Sequence, residues 1–228
     1  MNFIQLLVKY APTFNEALIL TLQLTLVSLV CASILGIIFG MFSIAKTKIL
    51  NIISSIYIDI IRGTPLIVQV FIMYYGVGMS ILKPVFNISW NELGGVFTAG
   101  AIALSLNAGA YMAEIVRGGI ESVDKGQMEA ARSLGLPYGK AMSKVILPQA
   151  IRTMLPSIIN QFIISLKDTS LISVIGIREL TMNAKMISAN ESAAVLTVYV
   201  IAAAYYLVIC TILSKVAKVL ERRMSYGK

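Results

Sequence analysis

From Ala17 to Ala45 the chain runs without a single charged side chain. A helix needs roughly 20 apolar residues to cross a bilayer, and this run is longer. It is also longer than the ~7–15-residue apolar core of a signal peptide, so it reads as a first membrane span that stays in place. Further apolar runs follow. Asn51 to Leu82 is interrupted by Asp59 and Arg62 and broken at Pro65. Leu93 to Ala113 leads uncharged to Glu114 and Arg117, Thr153 to Ile177 is interrupted by Lys167 and Asp168, and Ser192 to Ser214 is uncharged. An all-α membrane protein with five spans is predicted, over about 17–45, 51–82, 93–117, 152–177 and 192–214, forming one transmembrane domain over residues 1–228.

Composition narrows the function. The chain is 57% hydrophobic and 13% charged, against about 25% charged in soluble proteins. It has no histidine, which removes Ser-His triads and His metal sites. No catalytic or metal-ligating set stands out. The net charge of +8 would point to nucleic acid in a soluble protein, but in a membrane protein it reports cytoplasmic loops rich in Lys and Arg. The distribution favours the second reading. Lys46, Lys48, Arg117, Lys125, Arg132, Lys140, Lys144, Arg152, Lys215, Lys218, Arg222, Arg223 and Lys228 fall on one side of the predicted spans, against Lys9, Lys83, Arg178 and Lys185 on the other. The N-terminus is therefore expected outside and the C-terminus in the cytoplasm. Cys31 and Cys210 lie in apolar runs and read as packing residues.

The largest cytoplasmic element is then residues 118–151, too polar to span. Within it, Glu129-Ala130-Ala131 is followed after three residues by Gly135, and after nine more by Val145-Ile146-Leu147-Pro148. Small side chains on one helix face allow close approach, glycine allows a sharp turn, and proline suits the first turn of a new helix. This spacing resembles the EAA loop of the permease subunits of bacterial ABC importers, with Val145 where that pattern usually has Ile. Arg62-Gly63-Thr64-Pro65, Ala110-Tyr111-Met112-Ala113-Glu114, Arg117-Gly118-Gly119-Ile120, Gly126-Gln127 and Lys167-Asp168-Thr169-Ser170-Leu171 resemble the polar amino-acid branch of that family, over roughly residues 15 to 220.

The resemblance implies a type I ABC importer permease in the bacterial cell membrane, with Glu129, Ala130, Ala131, Arg132, Gly135, Leu147 and Pro148 forming a coupling helix seated on a separate ATPase subunit. It implies two such ATPases, which bind ATP and Mg, while this chain binds no cofactor. It further implies a second permease subunit, identical or homologous, and an extracytoplasmic binding protein that delivers a polar amino acid. Gly135 to Lys140 superficially resembles a phosphate loop, but its glycines are too close and Ala141 stands where Ser or Thr is required. A permease for another small polar solute, and an ion-coupled secondary transporter, stand as the alternative functions.

Polar groups inside spans are costly and point to function. Asn107 and Gln161 sit ~15 Å and ~14 Å into their spans, near the midplane. Amides there supply both donors and acceptors to a zwitterion, and Tyr111 lies one turn from Asn107; helix–helix hydrogen bonding is the competing reading. Lys167 and Asp168 lie ~22–24 Å above Arg152 and point ~100° apart, so only one of them faces any given partner. These five are the candidate substrate pathway. Asp59, Arg62 and Pro65, with Arg62 ~17 Å up, are predicted to form a local pair at a helix break, and Glu114 and Arg117 a pair near the inner interface, in structural or gating roles.

Overall fold

The computed structural model describes residues 2–225, with side chains through Val219. Of the tail cations, the side chains of Arg222 and Arg223 and the whole of Lys228 lie outside the described part. The described residues form an all-helical chain with five helices long and apolar enough to cross a membrane: Phe3–Ser43, Leu66–Phe86, Gly95–Glu121, Tyr138–Ile175 and Ser192–Val219. In chain order, the elements are α1 (Phe3–Ser43), α2 (Lys48–Arg62), α3 (Leu66–Phe86), α4 (Gly95–Glu121), α5 (Lys125–Ser133), α6 (Tyr138–Ile175), α7 (Leu180–Asn190) and α8 (Val195–Ser225).

Helix α4 is the centre. Its sequence is rich in Ala, Gly and Ser, and Ala99, Gly100, Ala101, Ala103, Ala108, Gly109, Ala110 and Ala113 are all buried. Small residues let backbones approach, the usual basis of helix packing in lipid. The closest approach is to α1, where Gly36 faces Met112 and Gly40 faces Val116; a Cβ on Gly40 would lie 2.7 Å from that of Val116. Helices α2, α3 and α6 surround the rest of α4. Outward faces are lined by exposed Ile, Leu and Val, the distribution a lipid-facing surface requires.

Helix α2 shows this most clearly. Ile49, Ile52, Ile53, Ile56 and Ile60 are exposed, while Ser54 and Ile58 are buried. Tyr57 packs against Phe39 with ring centroids 4.2 Å apart and donates to Leu106 O of α4 at 2.7 Å. The helix stops at Arg62 because the residue before a proline avoids the α region and Pro65 starts the next helix. The predicted second span is thus two helices, with α3 as the crossing piece.

Two other boundaries differ from expectation. Helix α1 begins at Phe3, because Leu6, Phe14 and Ala17 pack with Leu180, Ala184 and Ile187 of α7 and Val198, Ile201 and Ala202 of α8. Helix α6 begins at Tyr138 and passes Pro148 without restarting. A π-helical turn at Met142–Ile146 precedes the proline and rearranges the carbonyls that a proline ring otherwise crowds. The same turn aims Met142, Ile146, Ala150 and Met154 at Val116 and Ile120 of α4. The cysteines do not form a core: Cys31 is exposed and Cys210 half-buried.

Candidate functional site

Two features stand out, a protrusion at the α4–α6 connection and a cleft beside α4. In the protrusion, Asp124 caps α5 by accepting from Gly126 N at 2.6 Å. At the other end, Leu136 N donates to Ala131 O and Gly135 N to Arg132 O, the paired bonds of a Schellman motif that place the intervening residue in the left-handed region. That residue is Gly135, at φ 84. A side chain there would meet nothing within 4 Å, so conformation rather than space requires glycine. Arg132 adds a hydrogen bond to Leu136 O at 2.9 Å. Glu129, Ala130 and Arg132 are exposed, Ala131 is buried beneath them, Leu147 is half-buried and Pro148 exposed. Leu134, not singled out by sequence, is 84% exposed at the tip. Its signal is an apolar residue at a helix end with no partner in the motif.

The cleft has a volume of about 590 Å³ and is lined by Arg62, Gly63, Thr64, Pro65, Leu66, Asn107, Tyr111, Gln161, Ile164 and Asp168. This lies within the range of small-molecule sites. It gathers residues from the α2–α3 break, α4 and α6. Gln161 is buried, yet its amide has no hydrogen-bond partner among the described residues. One turn further along α6, Ser165 Oγ is buried and also unpartnered. Buried amides and hydroxyls are normally satisfied, so a free amide lining a cleft is a ready ligand contact. Asp168 is half-buried in the cleft wall and makes no ion pair among the described residues.

Lys167 does not join them. It lines a separate groove of about 420 Å³ with Ser170, Ala203, Tyr206, Leu207 and Cys210. The two neighbouring charges point to different sides, because successive helical residues diverge by ~100°.

The charged residues of the α2–α3 break pair differently from the local pattern. Arg62 binds not Asp59 but Glu114 Oε2 at 3.1 Å and lies over the Tyr111 ring at 5.4 Å. Asp59 is exposed on α2 and makes no ion pair among the described residues. Spacing along one helix brings two charges within reach, but a carboxylate already held on a packed neighbour offers better geometry. Arg117 Nε and Nη2 hold that carboxylate at 3.0 Å, and Arg117 also reaches Glu121 at 2.7 Å. Glu114 thus joins the helix break to the Arg117 end of α4.

Two polar residues escaped the sequence reading. Gln69 bridges the break to Asn107; an uncharged amide in an apolar run gives no local sign of its partners. Glu179 is fully buried between α7 and α8. It caps α7 by accepting from Thr181 N at 2.8 Å and Met182 N at 2.7 Å, and it accepts from the Tyr206 hydroxyl at 2.7 Å. Burial pushes its carboxyl above the usual range, opposed by those donors.

Comparison with known proteins adds four findings. The family described as "Binding-protein-dependent transport system inner membrane component" matches residues 32–226. The L-cystine transport system permease protein TcyB of Bacillus subtilis strain 168 is 40% identical over 216 residues, 95% of this chain and 88% of that protein. The glutamine transport system permease protein GlnP of Escherichia coli strain K12 is 38% identical over 214 residues, 93% of each. Among solved structures, a chain of an amino acid ABC transporter crystallised with histidines is 40% identical and superposes with a TM-score of 0.87, over 98% of this chain and 99% of its own.

Proposed function

The chain belongs to the family of binding-protein-dependent transport system inner membrane components, and on that premise we propose that it is the permease subunit of an ATP-driven importer of polar amino acids. The observation that carries the substrate reading is the cleft. It brings the Asn107 and Gln161 amides, the Asp168 carboxylate and the Tyr111 hydroxyl to one cavity, a set able to meet both the carboxylate and the ammonium of a zwitterion. Relatives named as L-cystine and glutamine permeases support the same class.

The protrusion around Gly135 is the element we assign to coupling. Glu129, Ala130, Arg132 and Leu134 are its exposed contacts, Ala131 and Gly135 its scaffold, and Leu147 and Pro148 the start of its return into α6. Two ATPase subunits, holding ATP and Mg, serve the transporter from the cytoplasm, one of them seated on this element. A second permease, identical or homologous, faces the first, and a separate binding protein delivers the substrate from outside. Closure of the ATPases on ATP moves α5, and the helices bordering the cleft turn to open it alternately to either side.

The test is uptake of labelled amino acids into vesicles containing the assembled transporter, with and without internal ATP. ATP-dependent uptake of at least one polar amino acid is expected. Asp168→Asn is expected to raise its KM about tenfold, the loss of one charge-assisted contact. Uptake that follows an ion gradient without ATP would favour a secondary transporter instead.

A further inference from the structure

The helix break at Gly63–Pro65 carries a hydrogen-bond relay whose direction is set by chemistry. Thr64 Oγ1 donates its one hydrogen to Ile60 O at 2.8 Å, so toward any other partner it only accepts. The terminal nitrogen of Gln69 lies 2.8 Å from that oxygen, 2.7 Å from Ile61 O and 3.0 Å from Thr64 O. All three are acceptors, so the Gln69 atom that faces them must be its NH₂. The other end of the same amide, Oε1, is then left to accept, and it takes a hydrogen from Asn107 Nδ2 at 3.0 Å. Asn107 is fixed in turn. Its nitrogen gives one of its two hydrogens to Gln69, and its oxygen Oδ1, which receives no hydrogen bond from any described residue, is a free acceptor in the cleft that Asn107 lines. A lone asparagine turns either end of its amide to a ligand; this one presents an acceptor.

The geometry points to Gln69 as a positioning residue that makes the Asn107 corner of the cleft an acceptor and so selects ligands bearing an ammonium group. This rests on the reading of the cleft as an amino-acid pathway. Asp168, in the same cleft, adds a second acceptor for the same group. Gln69 itself does not line the cleft and acts through Asn107. The relay also connects ligand to backbone, because the carbonyls that anchor Gln69 belong to the α2–α3 break, so a ligand drawn to Asn107 Oδ1 bears on the break itself.

The experiment uses the full transporter in nanodiscs without the binding protein, so that the membrane cleft alone discriminates. Binding is measured for L-glutamine, L-histidine and L-cystine, and for their counterparts in which hydrogen replaces the α-ammonium. Wild type is expected to prefer the amino acid that binds over its counterpart. Gln69→Leu is expected to lose about tenfold of that preference, the share of one hydrogen bond to a charged group. A purely structural lesion weakens both ligands alike and leaves their ratio unchanged. Gln69→Leu and Asn107→Leu together are expected to cost no more preference than Asn107→Leu alone. If Gln69→Leu fails to assemble, Gln69→Met, unbranched and flexible, is judged by the same ratio. A ratio that survives either variant, or additive effects of the two leucines, overturns the relay while leaving the amino-acid reading intact. Wild type that binds none of the three amino acids overturns that reading and the relay with it.

Discussion

Gly135 ties a single dihedral angle to the element proposed for coupling. At φ 84 it sits where a β-branched residue is strained, by about 1–2 kcal/mol. Gly135→Val is expected to leave insertion intact, since no neighbour lies within 4 Å of its would-be Cβ, and to uncouple ATP hydrolysis from uptake by swinging α5 out of line. Measuring ATPase rate and uptake on the same vesicles checks this, and coupled uptake at wild-type rate would remove Gly135 from the coupling element. Glu179 makes a different prediction. Its carboxyl is raised by burial, so the folded state holds a proton that the unfolded state releases. Stability is then greatest below the unfolded value of about 4.3 and falls as pH rises through the raised folded value. Glu179→Gln keeps a hydrogen-bond acceptor but has no proton to lose. Thermal unfolding in detergent across that window is expected to show a smaller pH slope for the variant than for wild type; equal slopes would place the pH dependence elsewhere. At this scale the sequence exposed charges and glycines in a recognisable spacing, but not Gln69 or Glu179. Their meaning lies in partners that only the folded chain brings near.

Among the elements, the packing of α1 on α4 makes the sharpest claim. The Gly36 and Gly40 surface of α1 meets Met112 and Val116 closely enough that even a methyl group collides. Gly36→Ala is expected to lower stability by about 1–3 kcal/mol through overpacking. Gly118, on an exposed turn of α4 with nothing within 4 Å, is the control, and Gly118→Ala is expected to raise stability by up to about 1 kcal/mol through helix propensity. Opposite shifts in unfolding temperature check the pair, and a neutral Gly36→Ala would refute the close approach. The helices themselves were legible because each apolar run outlasts the bilayer thickness. Their limits were not. The start of α1 is held by α7 and α8, and the passage of α6 through Pro148 depends on a π-helical turn packed on α4. Hydropathy along one segment carries no record of either contact. The cleft was legible in part: Asn107, Tyr111, Gln161 and Asp168 line it, while Lys167, adjacent in sequence to Asp168, faces the α8 groove.

For the whole molecule the decisive property is direction, because a coupling element is useful only on the side where ATP is found. The protrusion at α5 and the Asn87–Leu93 turn lie beyond opposite ends of α4. The cations divide in the same way, with Arg117, Lys125, Arg132, Lys140 and Lys144 clustering around α5 and Lys83 near the turn. Lys and Arg in short loops are retained in the cytoplasm, so the α5 end is expected inside and the turn outside. That turn is held by its own contacts: Ser89 and Glu92 cap one another, and the Trp90 indole anchors the turn to Tyr74 O at 2.9 Å. Replacing Cys31 and Cys210 by serine gives a thiol-free background in which single cysteines report sidedness. In intact cells, Asn91→Cys is expected to react with a membrane-impermeant thiol reagent. Ser143→Cys, exposed at the start of α6, is expected to react only after permeabilisation. The reverse pattern would put the protrusion outside, away from any ATPase, and the coupling assignment would fall while the helical fold stood unchanged.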